Sequence, residues 1–261
     1  MLDLPAYLQR IAFEGDLTPD RALLDALHLA HASQIPFENL DILLGRPIRV
    51  DLESIQNKLI HERRGGYCFE HNLMMAAVLE TLGFAVTKLA ARVRIGSTQM
   101  RARTHMLLMV EMGEQPLLVD VGFGAQGFQH PLPFVPGKVF RRFRWVYRVA
   151  TEEGGWVLQS RAKDTWIDLY AFTLEPQHWI DYKVANHYVS THPDSQFARG
   201  LIVQRPTPQA RYSLYNMEFS IDRGDTTTTR SLRDQTELHT ILAETFDLPF
   251  ARDVRFPIPP S

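Results

Sequence analysis

Between Leu4 and Leu82 apolar residues recur at helical spacing. Thr18-Pro19-Asp20 reads as a helix start, a capping residue followed by proline, ahead of Leu23, Leu24, Leu27 and Ala30. Asp51 is positioned to cap a second long helix through Leu59. A third begins near Cys68, carries Leu73, Met74, Ala77, Val78 and Leu82 in an amphipathic pattern, and stops at Gly83, where a helix end favours glycine. The first third is therefore expected to be a small helical bundle.

After Gly83 the pattern changes to short runs rich in β-branched and aromatic residues: 84–93, 105–112, 117–123, 143–150, 156–159 and 166–173. Six strands with turn signals between them predict a barrel or sandwich. Helical spacing returns over 176–190, followed by strands at 201–204, 211–215 and 218–222 and a last helix over 232–246. Thr226 to Thr229 is the only low-complexity stretch, too short to matter. The order predicts an α+β protein in three parts: a helical bundle over 1–83, a β-barrel over 84–188 and a C-terminal α/β lid over 189–261.

Composition narrows the class. Twenty-eight basic against 30 acidic residues give a net charge of −2 with no basic stripe, which argues against nucleic acid or an anionic membrane as partner. Neither a secretory leader nor a run of about 18 uncharged apolar residues is present, so a cytoplasmic protein is expected. The chain has one cysteine, which cannot form an intramolecular disulfide or build a thiolate metal cage. No metal is expected, and His28, His31 and the Glu70-His71 pair read as solvated helix faces rather than ligands.

That cysteine, Cys68, follows Gly65-Gly66 and Tyr67 at the first turn of the third helix. A helix N-terminus stabilises a thiolate through its partial positive charge and unpaired N–H groups, and the glycines would let a substrate approach the backbone. Arg63 and Arg64 would add to the effect if either points inward.

A reactive thiol needs a base. His71 lies three residues along the same helix. His105 opens a strand whose neighbour ends in Asp120, and Gly113-Glu114 between them suits a two-residue type II′ turn. That turn pairs Met112 with Gln115, which places His105 opposite Gly122 and on the same sheet face as Asp120; a one-residue slip would separate them. Asp120 sits in the apolar run 117–123, where a carboxylate is costly unless paired. His105 with Asp120 is therefore favoured over His71, whose only neighbouring carboxylate, Glu70, points away along the helix.

Several segments in order carry a resemblance: residues 35–40 (Ile-Pro-Phe-Glu-Asn-Leu), 64–72 (Arg-Gly-Gly-Tyr-Cys-Phe-Glu-His-Asn), Thr104-His105, and 118–124 (Leu-Val-Asp-Val-Gly-Phe-Gly), then Tyr182, Asn186 and 190–197. With these the chain resembles the arylamine N-acetyltransferases. The resemblance implies a bundle, barrel and lid with a papain-like Cys68, His105, Asp120 arrangement. It implies ping-pong transfer through an acetyl-Cys68 thioester from acetyl-coenzyme A, a co-substrate rather than a bound cofactor, to a small aromatic amine or hydrazine. It also implies that Phe37 and Phe123 line the acceptor pocket, that Gly124 and Gly127 lie in a loop beside the coenzyme, and that Glu38 and Arg64 pair to hold the catalytic loop.

A thiol hydrolase or a transglutaminase-like enzyme would share the chemistry up to the acyl-enzyme, although the papain-type cysteine signature is absent. A binding protein with a silent thiol would not need the complete Cys, His, Asp set.

Overall fold

The computed structural model describes residues 1–97 and 99–258. Two helices open the chain, α1 (Leu4–Arg10) and α2 (Arg21–Gln34). The expected start of α2 at Thr18 is corrected to Asp20, which has an extended backbone and whose Oδ1 accepts the Leu23 N–H at 2.8 Å; Thr18 instead donates to Asp16. A two-residue strand β1 (Phe37–Glu38) and a turn of helix α3 (Leu40–Leu43) follow. Asp51 caps α4 (Leu52–Gln56) as expected, accepting the Ser54 N–H at 2.9 Å, and the helix widens into a π turn over Asn57–His61.

Helix α5 (Cys68–Thr81) ends before Gly83, which adopts φ +93. It is not amphipathic: Cys68, Phe69, Glu70, His71, Asn72, Met74, Met75, Ala76, Val78 and Leu79 are all buried. A helix buried nearly all round is one enclosed by other elements, here the bundle on one side and the barrel on the other.

The barrel strands are β2 (Val86–Val93), β3 (His105–Val110), β4 (Leu117–Val119), β5 (Leu132–Pro133), β6 (Val139–Arg142), β7 (Trp145–Glu152), β8 (Gly155–Ala162) and β9 (Thr165–Phe172). They form a nearly closed antiparallel sheet in the order β5-β4-β3-β2-β9-β8-β7-β6. The β3–β4 register is the one the turn predicted: Leu108 faces Val119 and Val110 faces Leu117. Gly113 adopts φ +60, and the Gln115 N–H reaches the Met112 carbonyl at 3.2 Å. Alternation then sorts the side chains. Leu107, Met109 and Leu118 enter the barrel core, while Met106, Leu108, Val110, Leu117 and Val119 pack on the helical bundle. His105 and Asp120 share the parity of the barrel set.

The helix α6 (Trp179–Thr191) and a short turn α7 (Gln196–Arg199) lead to β10 (Ile202–Pro206), β11 (Arg211–Tyr215), β12 (Glu218–Asp222) and β13 (Thr227–Ser231), and α8 (Gln235–Phe246) closes the fold. β13 corrects the reading of the threonine run: these β-branched residues form an exposed edge strand against β12. β1 joins the other end of this sheet through β10, which ties residues 37–38 to the C-terminal unit. No helix among the described residues is long and apolar enough to cross a membrane.

Candidate active site

Cys68 is the first residue of α5 and 4% exposed, with Sγ donating to the Thr104 carbonyl at 3.6 Å. Close packing demands glycine at both positions 65 and 66. A Cβ on Gly65 would lie 2.1 Å from the Pro36 carbonyl oxygen, and one on Gly66 would lie 2.7 Å from Glu70 Oε2. Gly122 is needed for the same reason, since a Cβ there would fall 2.7 Å from Cys68 Cα. The backbone of Cys68 thus rests directly on the segment that follows β4.

His105 Nε2 donates to Asp120 Oδ2 at 2.7 Å, and both side chains are buried. Asp120 is held by four donors. Oδ1 accepts from Asn72 Nδ2 at 2.9 Å and from the Gly122 N–H at 3.0 Å, while Oδ2 also accepts from the Tyr170 hydroxyl at 3.0 Å. Burial pushes this carboxyl up, but His105 and the hydrogen bonds more than reverse that and hold it below the usual carboxylate range. For His105, burial opposes the charged ring, yet the Asp120 charge and hydrogen bond, aided by Cys68, push it up to about 10.

Asn72 lies one turn after Cys68 on α5 and also donates to the Met106 carbonyl at 2.7 Å and accepts the Val121 N–H at 3.1 Å. It clamps the helix that carries the thiol to the strands that carry His105 and Asp120. In the sequence Asn72 stands only as the last residue of the segment 64–72, with no role of its own, although its spacing from Cys68 puts it on the same helix face. Nothing in the sequence marked Tyr170, which arrives from β9. His28, expected at the surface, is buried and its Nε2 accepts the Asp120 N–H at 3.3 Å; burial holds the ring down to about 3.

His71 does not face the thiol. Its Nδ1 meets His31 Nε2 at 2.8 Å and its Nε2 lies 3.1 Å from the Gly66 carbonyl, so both nitrogens are occupied away from Cys68. His31 and His71, like His28, are buried rather than solvated, because each takes a place in an inward-facing stripe and finds a hydrogen-bond partner there.

Phe123 packs edge-on against His105, with centroids 4.9 Å apart, and equally close to Tyr170. Phe37 is buried in β1, and its Cγ lies 3.5 Å from where a Cβ on Gly124 would sit. Gly124 adopts φ +70 in the short turn Gly124–Gln126. Gly127 closes that turn, its N–H reaching the Gly124 carbonyl at 3.1 Å. Phe123 thus borders the His105 ring, and Phe37 meets the turn that follows Phe123. A cleft of about 410 Å³ opens next to Thr104, lined also by Ala90, Ala102, Tyr182 and Tyr188.

Neither arginine before the cysteine serves the thiol. Arg63 turns outward to Asp247 at 2.8 Å, and Arg64 is buried against Glu38 at 2.7 Å and Asp41 at 3.1 Å. Lys58 joins this cluster, 3.0 Å from Asp41 and 2.8 Å from Glu70, whose other oxygen accepts the Tyr67 N–H at 3.0 Å. A larger cleft of about 810 Å³ borders Asp41, Lys58 and Glu70 but includes none of Cys68, His105 and Asp120. The cluster braces the loop that leads into α5. Arg64→Ala leaves buried Glu38 without its ion-pair partner, while Asp41 keeps Lys58 at 3.0 Å, and is expected to lower the unfolding free energy by about 3–5 kcal/mol in urea titration. Arg64→Lys recovers only part, because an ammonium cannot reproduce the forked contact.

The N-acetyltransferase family pattern matches residues 20–255. An arylamine N-acetyltransferase of Mycolicibacterium smegmatis is 40% identical over 232 residues, covering 87% of this chain and 84% of that protein. The solved arylamine N-acetyltransferase of Mycobacterium tuberculosis superposes with a TM-score of 0.91 at 40% identity, covering 95% of this chain and 93% of that one. The Mycobacterium marinum arylamine N-acetyltransferase in complex with CoA gives 0.90 at 36% identity, over 94% and 93%. With a family match spanning most of its length and relatives at this identity, the chain belongs to the arylamine N-acetyltransferase family.

Proposed function

We propose that the protein transfers an acetyl group from acetyl-coenzyme A to arylamines or arylhydrazines through an acetyl-Cys68 thioester. The observation that carries this reading is the buried His105–Asp120 pair at 2.7 Å, with Cys68 at a helix N-terminus beside the same ring. Because Nε2–H is committed to Asp120, Nδ1 is the nitrogen free to act on the thiol. His105 Nδ1 takes the Cys68 proton, Sγ attacks the thioester carbonyl carbon, and the coenzyme thiolate leaves with that proton from the imidazolium. The amine nitrogen then attacks the acetyl-Cys68 carbonyl, giving its proton to His105, and Cys68 Sγ is expelled and takes that proton back from His105 to complete the cycle.

Phe37 and Phe123 serve as walls for the acceptor ring, while Gly124 and Gly127 belong to the turn beside the coenzyme. Glu38 and Arg64 support the loop before Cys68. The M. marinum complex with CoA supports coenzyme A as the acyl carrier. Functionally, we divide the chain so that residues 1–83 supply the nucleophile, 84–188 the base and its carboxylate, and 189–261 a lid.

Initial rates measured with acetyl-coenzyme A and an arylamine varied together are expected to give parallel double-reciprocal lines, with sustained coenzyme release only when amine is present. Intersecting lines would remove the ping-pong order. Sustained release without amine would favour a thiol hydrolase.

A further inference from the structure

His71 is a buried histidine that the chemistry above does not use, and its hydrogen bonds define one tautomer. The carbonyls of Pro36, at 3.2 Å, and Gly66, at 3.1 Å, can only accept, so His71 Nε2 carries the proton. In the neutral ring Nδ1 then accepts from His31 Nε2–H at 2.8 Å, and His31 Nδ1 accepts from the Tyr7 hydroxyl at 2.9 Å. Tyr7, His31 and His71 form one directed chain, each member 1% exposed or less.

The chain ends on a seam. The Gly66 N–H donates to the Pro36 carbonyl at 3.3 Å, and the Glu38 N–H donates to the Gly66 carbonyl at 2.7 Å. Residues 36–38 and 65–66 are thus stitched together two positions before Cys68, and His71 adds a donor that spans both carbonyls. Its ring also lies parallel to that of Phe37, 5° apart in plane with centroids 6.4 Å apart. Phe37 in turn borders Gly124, next to the Phe123 that packs on His105. Pure packing here would be served more cheaply by apolar side chains, since three buried polar groups must all be satisfied to avoid a desolvation cost.

We propose that His71, oriented from behind by His31 and Tyr7, is a positioning residue for the acyl acceptor: it fixes the Phe37 wall relative to Cys68. This rests on the acetyl-Cys68 reading above. Coenzyme A delivers its acetyl group before the acceptor ring must fit, so loosening Phe37 should weaken the second half-reaction more than the first.

The test separates the halves. In His71→Leu the donor is lost and the volume is roughly kept. The KM for an arylamine such as 4-aminobenzoate is expected to rise about five- to tenfold, while acetyl-Cys68 formation from acetyl-coenzyme A stays within about twofold of wild type. His71→Gln, whose side-chain amide can again donate to the seam, should recover most of the acceptor KM. Equal losses in both halves, or a lower melting temperature with unchanged kinetics per titrated thiol, would overturn the assignment. Should His71→Leu fail to fold, Tyr7→Phe removes only the far hydroxyl and is expected to raise the acceptor KM by about twofold, with no change contradicting the proposal. If the wild-type protein itself forms no acetyl-Cys68, the fault lies in the function rather than in His71.

Discussion

Replacing Asp120 by asparagine is expected to slow acetyl transfer by about a thousand- to ten-thousandfold, the scale of tautomer errors in comparable triads. The reason lies in what surrounds the carboxylate. Asn72 Nδ2 and the Gly122 N–H on Oδ1, and His105 Nε2 and the Tyr170 hydroxyl on Oδ2, are all donors. An amide has one oxygen to offer, so in either orientation its NH2 confronts two of them. If the NH2 faces His105, the ring must turn its proton to Nδ1, the nitrogen that should receive the Cys68 proton. The negative charge that pushes the ring up to about 10 is lost as well. The rate of acetyl-Cys68 formation reads the effect directly. A folded Asp120→Asn protein that retains more than about a tenth of the wild-type rate would contradict the role given to this carboxylate.

Acidification is expected to destabilise the protein well above the carboxylate range, because three histidines are buried neutral. Burial holds His28 down to about 3 and His71 down to about 4, and His31 well below its ordinary value. A depressed histidine contributes stability that is fully present above the unfolded value of about 6.5 and is lost as pH falls toward the folded value, since only the unfolded chain then binds the proton. Each such ring removes about 1.4 kcal/mol per pH unit across that window. His105 has the opposite sign. Its raised value means that its contribution is complete below about 6.5 and is lost only as pH rises toward about 10, so it does not offset the acid loss. Glu70, raised by burial, offsets it in part. Urea unfolding at pH 7 and pH 5 should therefore show a fall of several kcal/mol, with a shallower slope in His28→Gln. Equal stability at the two pH values would mean that these histidines are not held neutral in the fold.

The parts of the site that rest on local rules were readable in the chain. Gly113-Glu114 dictated the turn, and the turn dictated which residues face one another, so His105 and Asp120 came together from a two-residue signal and a period of two. Cys68 at a helix start was legible from its glycines and from the apolar spacing after it, although the glycines turned out to accommodate Pro36 and Glu70. The packing between distant segments was not legible. His28 and His31 look like surface residues on a helix wheel, and only the approach of β4 and α5 makes them buried and bonded. Asn72 and Tyr170 complete the Asp120 shell from two elements that no short-range pattern relates. Arg64 was expected to pair with Glu38, but Asp41 and Lys58, which make the pair a cluster, come from elements whose mutual orientation no spacing encodes. The threonine run became a strand because β12 offered it an edge.

The central claim is that Cys68 carries the acyl group. Mixing the protein with acetyl-coenzyme A in the absence of amine, measuring its intact mass and locating any modification by peptide mapping tests this most directly. The account predicts a gain of one acetyl group per chain, borne on Cys68 and discharged when an arylamine is added. No gain, or an acetyl group on any other residue, would contradict it.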